Sequence, residues 1–197
     1  MNYCMKKIII MIGPPGSGKG TQAKKVAFKY NYSHISTGDL LRALARDTDL
    51  NSLEKEAVAQ MKSGNLVSDQ LIYRLVFGEI EKNLAEGRGV VLDGAIRNLE
   101  QARGFQNFFK AKNLTGEVLA LEITLSDKDS WERLIKRRGL ENRQDDDPKI
   151  IKDRIAKQGN KVLAPIINFY KDLGVLVKID GNQTIEDVEK DIESILC

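Results

Sequence analysis

The segment Gly13-Pro14-Pro15-Gly16-Ser17-Gly18-Lys19-Gly20-Thr21 constrains this chain more than any other stretch. It follows the apolar run Ile8-Ile9-Ile10-Met11-Ile12. It precedes a stretch in which Ala23, Val26, Ala27 and Tyr30 recur at helical spacing, so the order is strand, glycine-rich loop, helix. Glycines let the backbone curl until successive N–H groups point at one place, and the positive end of the helix adds to them. Such a loop suits phosphate, and Lys19 extends its reach to the outer oxygens. One position is irregular. Gly20 follows the lysine where a hydroxyl is usual, and Thr21 comes one place later.

Beyond the loop, short β-branched runs alternate with helical stretches, which predicts an α/β fold with a five-stranded parallel sheet flanked by helices. Strands are expected at residues 6–12, 33–35, 89–92, 118–124 and 175–179. Leu71, Leu75, Val76 and Ile80 mark a helix between the second and third strands. Thr184, with Asp187 three residues on, resembles a capping box opening a last helix that turns Ile185, Val188, Ile192 and Ile195 inward. A continuous helical run at 149–173 contains Pro165, where a kink or break is expected. Two stretches fit the alternation badly. Residues 36–65 hold two short helical patterns with no strand between them, and 138–147 are polar without apolar periodicity, so both read as insertions on the core. At 197 residues the chain suits one domain: a core of 1–35, 66–137 and 148–197, carrying the two insertions.

Composition narrows the function classes. Lysine and arginine number 31 against 28 acidic residues, a net +3, and aromatics are 6%, which argues against a nucleic-acid binder. Any basic site must therefore be local. The longest apolar run is far shorter than the roughly 18 residues that span a bilayer, and no signal peptide is read at the start. A cytoplasmic, monomeric protein without membrane or nucleic-acid partners is expected. Cys4 and Cys197 make no metal-type spacing and are expected to be reduced thiols. The lone His34 is read as structural, having no second histidine to form a relay or metal pair. Asp93, at the end of Val90-Val91-Leu92, stands where a strand-end acid holds water of a Mg²⁺ shell beside phosphates.

The eleven-residue stretch GPPGSGKGTQA, 13–23, closely resembles the nucleoside monophosphate kinases, and the adenylate kinases in particular. Further blocks follow in the family's order. His34-Ile35-Ser36-Thr37-Gly38-Asp39-Leu40-Leu41-Arg42 resembles the segment opening the monophosphate-binding insertion, and Gly64-Asn65-Leu66-Val67-Ser68-Asp69 the segment closing it. Leu92-Asp93-Gly94, Arg97 and Leu99-Glu100-Gln101-Ala102 form a third block. Arg143, Asp145, Asp146 and Arg154 match the lid block, and Asp180-Gly181 the last. Two departures stand out. Gly94-Ala95-Ile96-Arg97 replaces the family's usual Gly-Phe-Pro-Arg, and the short lid has no cysteines, so no zinc is expected. Because a non-proline cis bond is costly, the Ala95–Ile96 peptide is expected to be trans.

The resemblance implies transfer of the γ-phosphoryl of Mg-ATP to AMP, giving two ADP. ATP would lie on Gly13, Gly16, Ser17, Gly18, Lys19, Gly20 and Thr21, with Arg133 near its base. AMP would meet Thr37, Arg42, Gly94, Arg97 and Gln101, with Thr37 and Gln101 reading adenine. Lys19, Arg97, Arg137, Arg143 and Arg154 would act on the transferred group, since phosphoryl transfer needs positioning and charge stabilisation more than covalent help. Asp145 and Asp146 would pair with arginines as the insertions close to exclude water. A pyrimidine monophosphate kinase on the same frame stays open. So does a nucleotide-binding switch, although Asn160-Lys161-Val162-Leu163 lacks the acid of a guanine-reading motif.

Overall fold

The computed structural model describes residues 5–46, 49–63, 67–141 and 147–196. Five parallel strands, β1 (Ile8–Ile12), β2 (Ser33–Ser36), β3 (Val90–Asp93), β4 (Val118–Thr124) and β5 (Leu176–Asp180), lie in the order β2-β3-β1-β4-β5. A parallel sheet with both faces covered needs apolar side chains on both, which is why β1 is an unbroken apolar run. Ile8, Ile10 and Ile12 pack on one side with Leu71, Val76, Ile80, Phe105, Phe109 and Ile166. Ile9 and Met11 pack on the other with Ala23, Val26, Ile123, Val188 and Ile192.

Among the described residues the helices are α1 (Lys19–Tyr30), α2 (Thr37–Leu44), α3 (Ser52–Lys62), α4 (Asp69–Ala85), α5 (Leu99–Ala111), α6 (Asp127–Glu141), α7 (Pro148–Gln158), α8 (Asn160–Asp172) and α9 (Ile185–Leu196). Their starts are written in short polar side chains. Ser36, Asn51, Asn98 and Asp147 each accept a backbone N–H of the helix they open. Thr184 accepts from the Asp187 amide at 3.2 Å while its hydroxyl meets the Asp187 carboxylate at 2.7 Å. Helix α6 continues through Glu141, into the stretch read from sequence as polar insertion.

The expected break at Pro165 is corrected. It falls at Gly159, which ends α7 and starts α8 in an extended conformation, whereas Pro165 lies inside α8. A Cβ at Gly159 would stand 2.4 Å from the Ile155 carbonyl oxygen, so a glycine permits the tight turn. Pro165 removes one ladder bond from α8, and the buried Leu163, Ile166 and Tyr170 hold the helix against that loss. The Ala95–Ile96 peptide is trans, as expected, and both side chains are buried in the core.

Gly181, just after β5, packs equally tightly. Its amide donates to Thr124 O at 2.9 Å, and an added Cβ would lie 2.3 Å from that same oxygen. The neighbour is backbone and cannot rotate away. Gly181→Ala is expected to destabilise the fold by about 1 to 3 kcal/mol, read as a lower urea midpoint with an unchanged slope. An unchanged midpoint would show that the β4–β5 edge yields freely.

Candidate active site

The phosphate loop leaves the C-terminal end of β1, the central strand, whose neighbours β3 and β4 lie on opposite sides. In open α/β sheets ligands bind at such a reversal of strand order. Gly16 and Gly18 turn the loop in left-handed conformations, φ +81° and +89°. Gly18 caps α1 without a side-chain bond, and the first turn of α1 carries no acid, which leaves the helix start suited to an anion. Gly20 explains the irregular motif. A Cβ there would stand 3.0 Å from Asp93 Oδ2, so the missing side chain lets the β3 carboxylate come up against the start of α1.

A cleft of about 360 Å³ opens over this loop. Among the described residues, Lys19, Lys24, Arg42, Arg97, Arg133, Arg137 and Arg154 line it against two carboxylates, Asp39 and Asp93. The balanced chain thus concentrates positive charge in one place, as a site for polyanions requires. Lys19 Nζ donates to Pro14 O at 3.2 Å. Enclosure lowers its pKa to about 8. Asp93 opposes that shift, and Arg97, Arg154 and Arg137 reinforce it.

The arginines reach the cleft from four local settings. Arg42, on α2, donates to Asp39 Oδ1 at 2.6 Å. Burial raises the Asp39 pKa, but Arg42 outweighs it and the net direction is down. Arg97, in the loop after β3, folds back so that Nε donates to Gly94 O at 2.8 Å and Nη1 approaches Gln158 Oε1 at 3.4 Å. Gly94 has φ +70°, and an added Cβ there would come 3.1 Å from Arg97 Nη2. Arg133 and Arg137 stand one turn apart on α6, and Arg133 Nη2 donates to Gly181 O at 2.8 Å. Arg154 and Gln158 stand one turn apart on α7.

His34, read in the sequence as structural, is carried by β2 to the cleft. Its Nε2 lies 3.5 Å from Asp93 Oδ2. At that distance the contact is electrostatic rather than a well-formed hydrogen bond. Burial would raise the Asp93 pKa, yet His34, Lys19 and Arg97 together hold it below the ordinary value. Gln158, like Lys24, Met61 and Leu134, is a cleft residue that the sequence did not single out. No local signal marks His34 or Gln158; they depend on the register of β2 against β3 and on the turn at Gly159.

Of the expected site residues, Gly16, Gly18, Lys19, Gly20, Thr21, Arg42, Asp93, Gly94, Arg97, Arg133, Arg137 and Arg154 line this cleft. Gly13 lines a small adjoining pocket with Lys19 and Arg97, and Ser17 is buried within the loop. Thr37 is buried, its hydroxyl donating to Asp93 O at 3.2 Å. Gln101 is buried as well, its amide bonded to Asp69 and to the Arg97 backbone. Arg143, Asp145 and Asp146 lie outside the described residues. Among the described residues no group of three or more His, Cys, Asp or Glu is arranged to hold a metal, and no helix is long and apolar enough to cross a membrane.

Because the proton on Lys19 is the one that meets phosphate, kcat/KM for ATP is expected to fall as pH rises through about 8, the pKa of the free protein. The unfolded chain, with the ordinary value of 10.5, binds that proton more tightly, so this group makes stability rise with pH between about 8 and 10.5. A kcat/KM profile flat up to pH 10 would contradict the assignment.

Known proteins resemble this chain over nearly its whole length. The family model described as adenylate kinase matches residues 11–175. An adenylate kinase of Prochlorococcus marinus (strain MIT 9211) is 39% identical over 193 residues, covering 98% of each chain. One of Parasynechococcus marenigrum (strain WH8102) is 37% identical over 193 residues, covering 98% of this chain and all of the relative. One of Leptospira biflexa is 37% identical over 191 residues, covering 95% and 98%.

Proposed function

The chain belongs to the adenylate kinase family and is a phosphotransferase, and from that premise we propose how its own residues move the γ-phosphoryl group of Mg-ATP to AMP, giving two ADP. The observation that carries the reading is convergence. Arginines from α2, the loop after β3, α6 and α7 meet Lys19 and the loop in one cleft.

The loop amides and Lys19 hold the outer phosphates of ATP, with Arg133 beside its base. Arg42 and Arg97 hold the phosphate of AMP. Arg42 would exchange its bond to Asp39 for that anion, a swap of one negative partner for another that leaves no arginine unpaired. Arg137, Arg143 and Arg154 stabilise the charge on the transferred group. None of these roles needs a covalent intermediate; the groups position two anions in line and offset their repulsion.

Magnesium fits the donor set as an ion carried by the nucleotide. Asp93 would supply a single hard oxygen next to the start of α1, with Thr21 lining the same cleft, and such sites hold Mg²⁺ mainly through water and phosphate. The ion would neutralise phosphate charge there. Insertions 36–65 and 138–147 would close over the nucleotides and exclude water that would otherwise hydrolyse ATP. We place the protein in the cytoplasm as a monomer, without zinc.

Two experiments test this reading. Lys19→Ala is expected to cut kcat by about a hundredfold or more while the melting curve stays cooperative, since the loop shape comes from glycines and the lysine supplies only charge. Unchanged turnover would remove Lys19 from the site. In a screen of monophosphate acceptors with Mg-ATP, AMP is expected to exceed CMP, UMP and GMP in kcat/KM by at least about tenfold, and Gln101→Ala to narrow that gap. A better rate with CMP or UMP would transfer the assignment to pyrimidine acceptors.

A further inference from the structure

The Gln101 side chain is 2% exposed and tied at both amide atoms. Arg97 N–H donates to Oε1 at 2.7 Å, and Nε2 donates to Asp69 Oδ1 at 2.8 Å. Neither contact works in reverse. A backbone N–H can only donate and a carboxylate can only accept, so the two partners fix which end of the amide is oxygen and which is nitrogen. Asn98 strengthens the arrangement. Its Oδ1 accepts from the Gln101 backbone N–H at 2.6 Å while its Nδ2 reaches the same Asp69 oxygen at 3.3 Å. Asp69 is the first residue of α4, where the helix start favours its charge, and Asn98 caps α5, so the clamp ties two helix starts together.

Fixing the amide matters because of what a glutamine does with a purine. A carboxamide has two N–H donors and two lone pairs on oxygen. With one of each taken by Asp69 and Arg97, one donor and one acceptor remain. In this orientation they suit a base edge with an acceptor ring nitrogen beside an amino group, the edge of adenine. Turned by 180°, the same amide suits the inverse edge, a protonated ring nitrogen beside a carbonyl, as in hypoxanthine or guanine. A free glutamine reads either.

We infer that Asp69 is a positioning residue that sets base specificity, by holding the Gln101 amide in the one orientation that accepts adenine and rejects a 6-oxopurine. The inference rests on the acceptor base lying against Gln101, as proposed above. Asp69 and Gln101 lie just behind the cleft lining, which includes Val67, two residues before Asp69, and Arg97, whose backbone N–H Gln101 accepts. A flip would set the Gln101 oxygen against the Asp69 carboxylate and its NH₂ against the Arg97 N–H. The first clash disappears when residue 69 can donate.

The test compares AMP with inosine 5′-monophosphate, which differs from it in this edge, using the full chain and Mg-ATP. Wild type is expected to prefer AMP by at least about tenfold in kcat/KM. Asp69→Asn keeps the shape and removes one of the two clashes a flipped amide meets, leaving only that with the Arg97 N–H; it is expected to narrow the AMP-to-inosine ratio by about fivefold, with KM for ATP held within about twofold. Asp69→Glu, which can only accept, is expected to keep most of the preference. That rescue separates an orienting carboxylate from a merely structural residue, and it also supplies a reading if Asp69→Asn folds poorly. A wild-type ratio retained in Asp69→Asn, or lost equally in Asp69→Glu, overturns the inference. A ratio unchanged in Gln101→Ala instead overturns the placement of the base against Gln101, a failure distinct from that of Asp69.

Discussion

Seven lysine and arginine side chains face one cleft in a chain whose net charge is only +3, and their mutual repulsion is the constraint that the surrounding structure answers. Two unit charges about 4 Å apart near a protein surface interact by roughly 4 kcal/mol at an effective dielectric of 20, so such a cluster cannot be left to flexible loops. That repulsion adds to enclosure, the main cause of the lowered Lys19 pKa, because Arg97, Arg154 and Arg137 each disfavour its proton. Asp93 and Asp39 are the cleft carboxylates that offset it.

The scaffold that holds these charges is rigid for ordinary reasons. β1 is buried on both faces, β3 and β4 flank it in register, and the phosphate loop leaves from its end. Asp93 is the last residue of β3, paired with Met11 across the sheet, so its carboxylate arrives beside α1 with little freedom left. The glycine at position 20 and the neighbouring His34 then define its surroundings. Arg97 and Gln101 are held in a similar way, by backbone and side-chain bonds running between the loop after β3 and the starts of α4 and α5. In each case a short-range device, a capping residue or a positive-φ glycine, fixes a group that acts across the cleft.

Much of the fold was legible because it depends on neighbours along the chain. The five strands appear within two residues of their expected bounds, and the phosphate loop and the Thr184 cap follow from residues a few places apart. The break expected as one alternative at Pro165 lies at Gly159 for a physical reason. Proline disfavours a helix only through one lost bond and a local clash, and packing of Leu163, Ile166 and Tyr170 outweighs that, while Gly159 makes the actual turn.

Residue order alone therefore determined the layered α/β frame, the strand-loop-helix that receives phosphate, and the polar caps that start most helices, because periodicity and glycine conformation act over a handful of residues. The arginines were legible through the family resemblance, whose spacing already carries the fold. Only tertiary structure decided which groups meet. His34 against Asp93, Gln158 against Arg97 and Asp69 against Gln101 join residues far apart in sequence. Such contacts depend on sheet register and helix packing, and the pKa of Lys19 depends on how completely those elements enclose it; none of these quantities is a property of the chain read one residue after another.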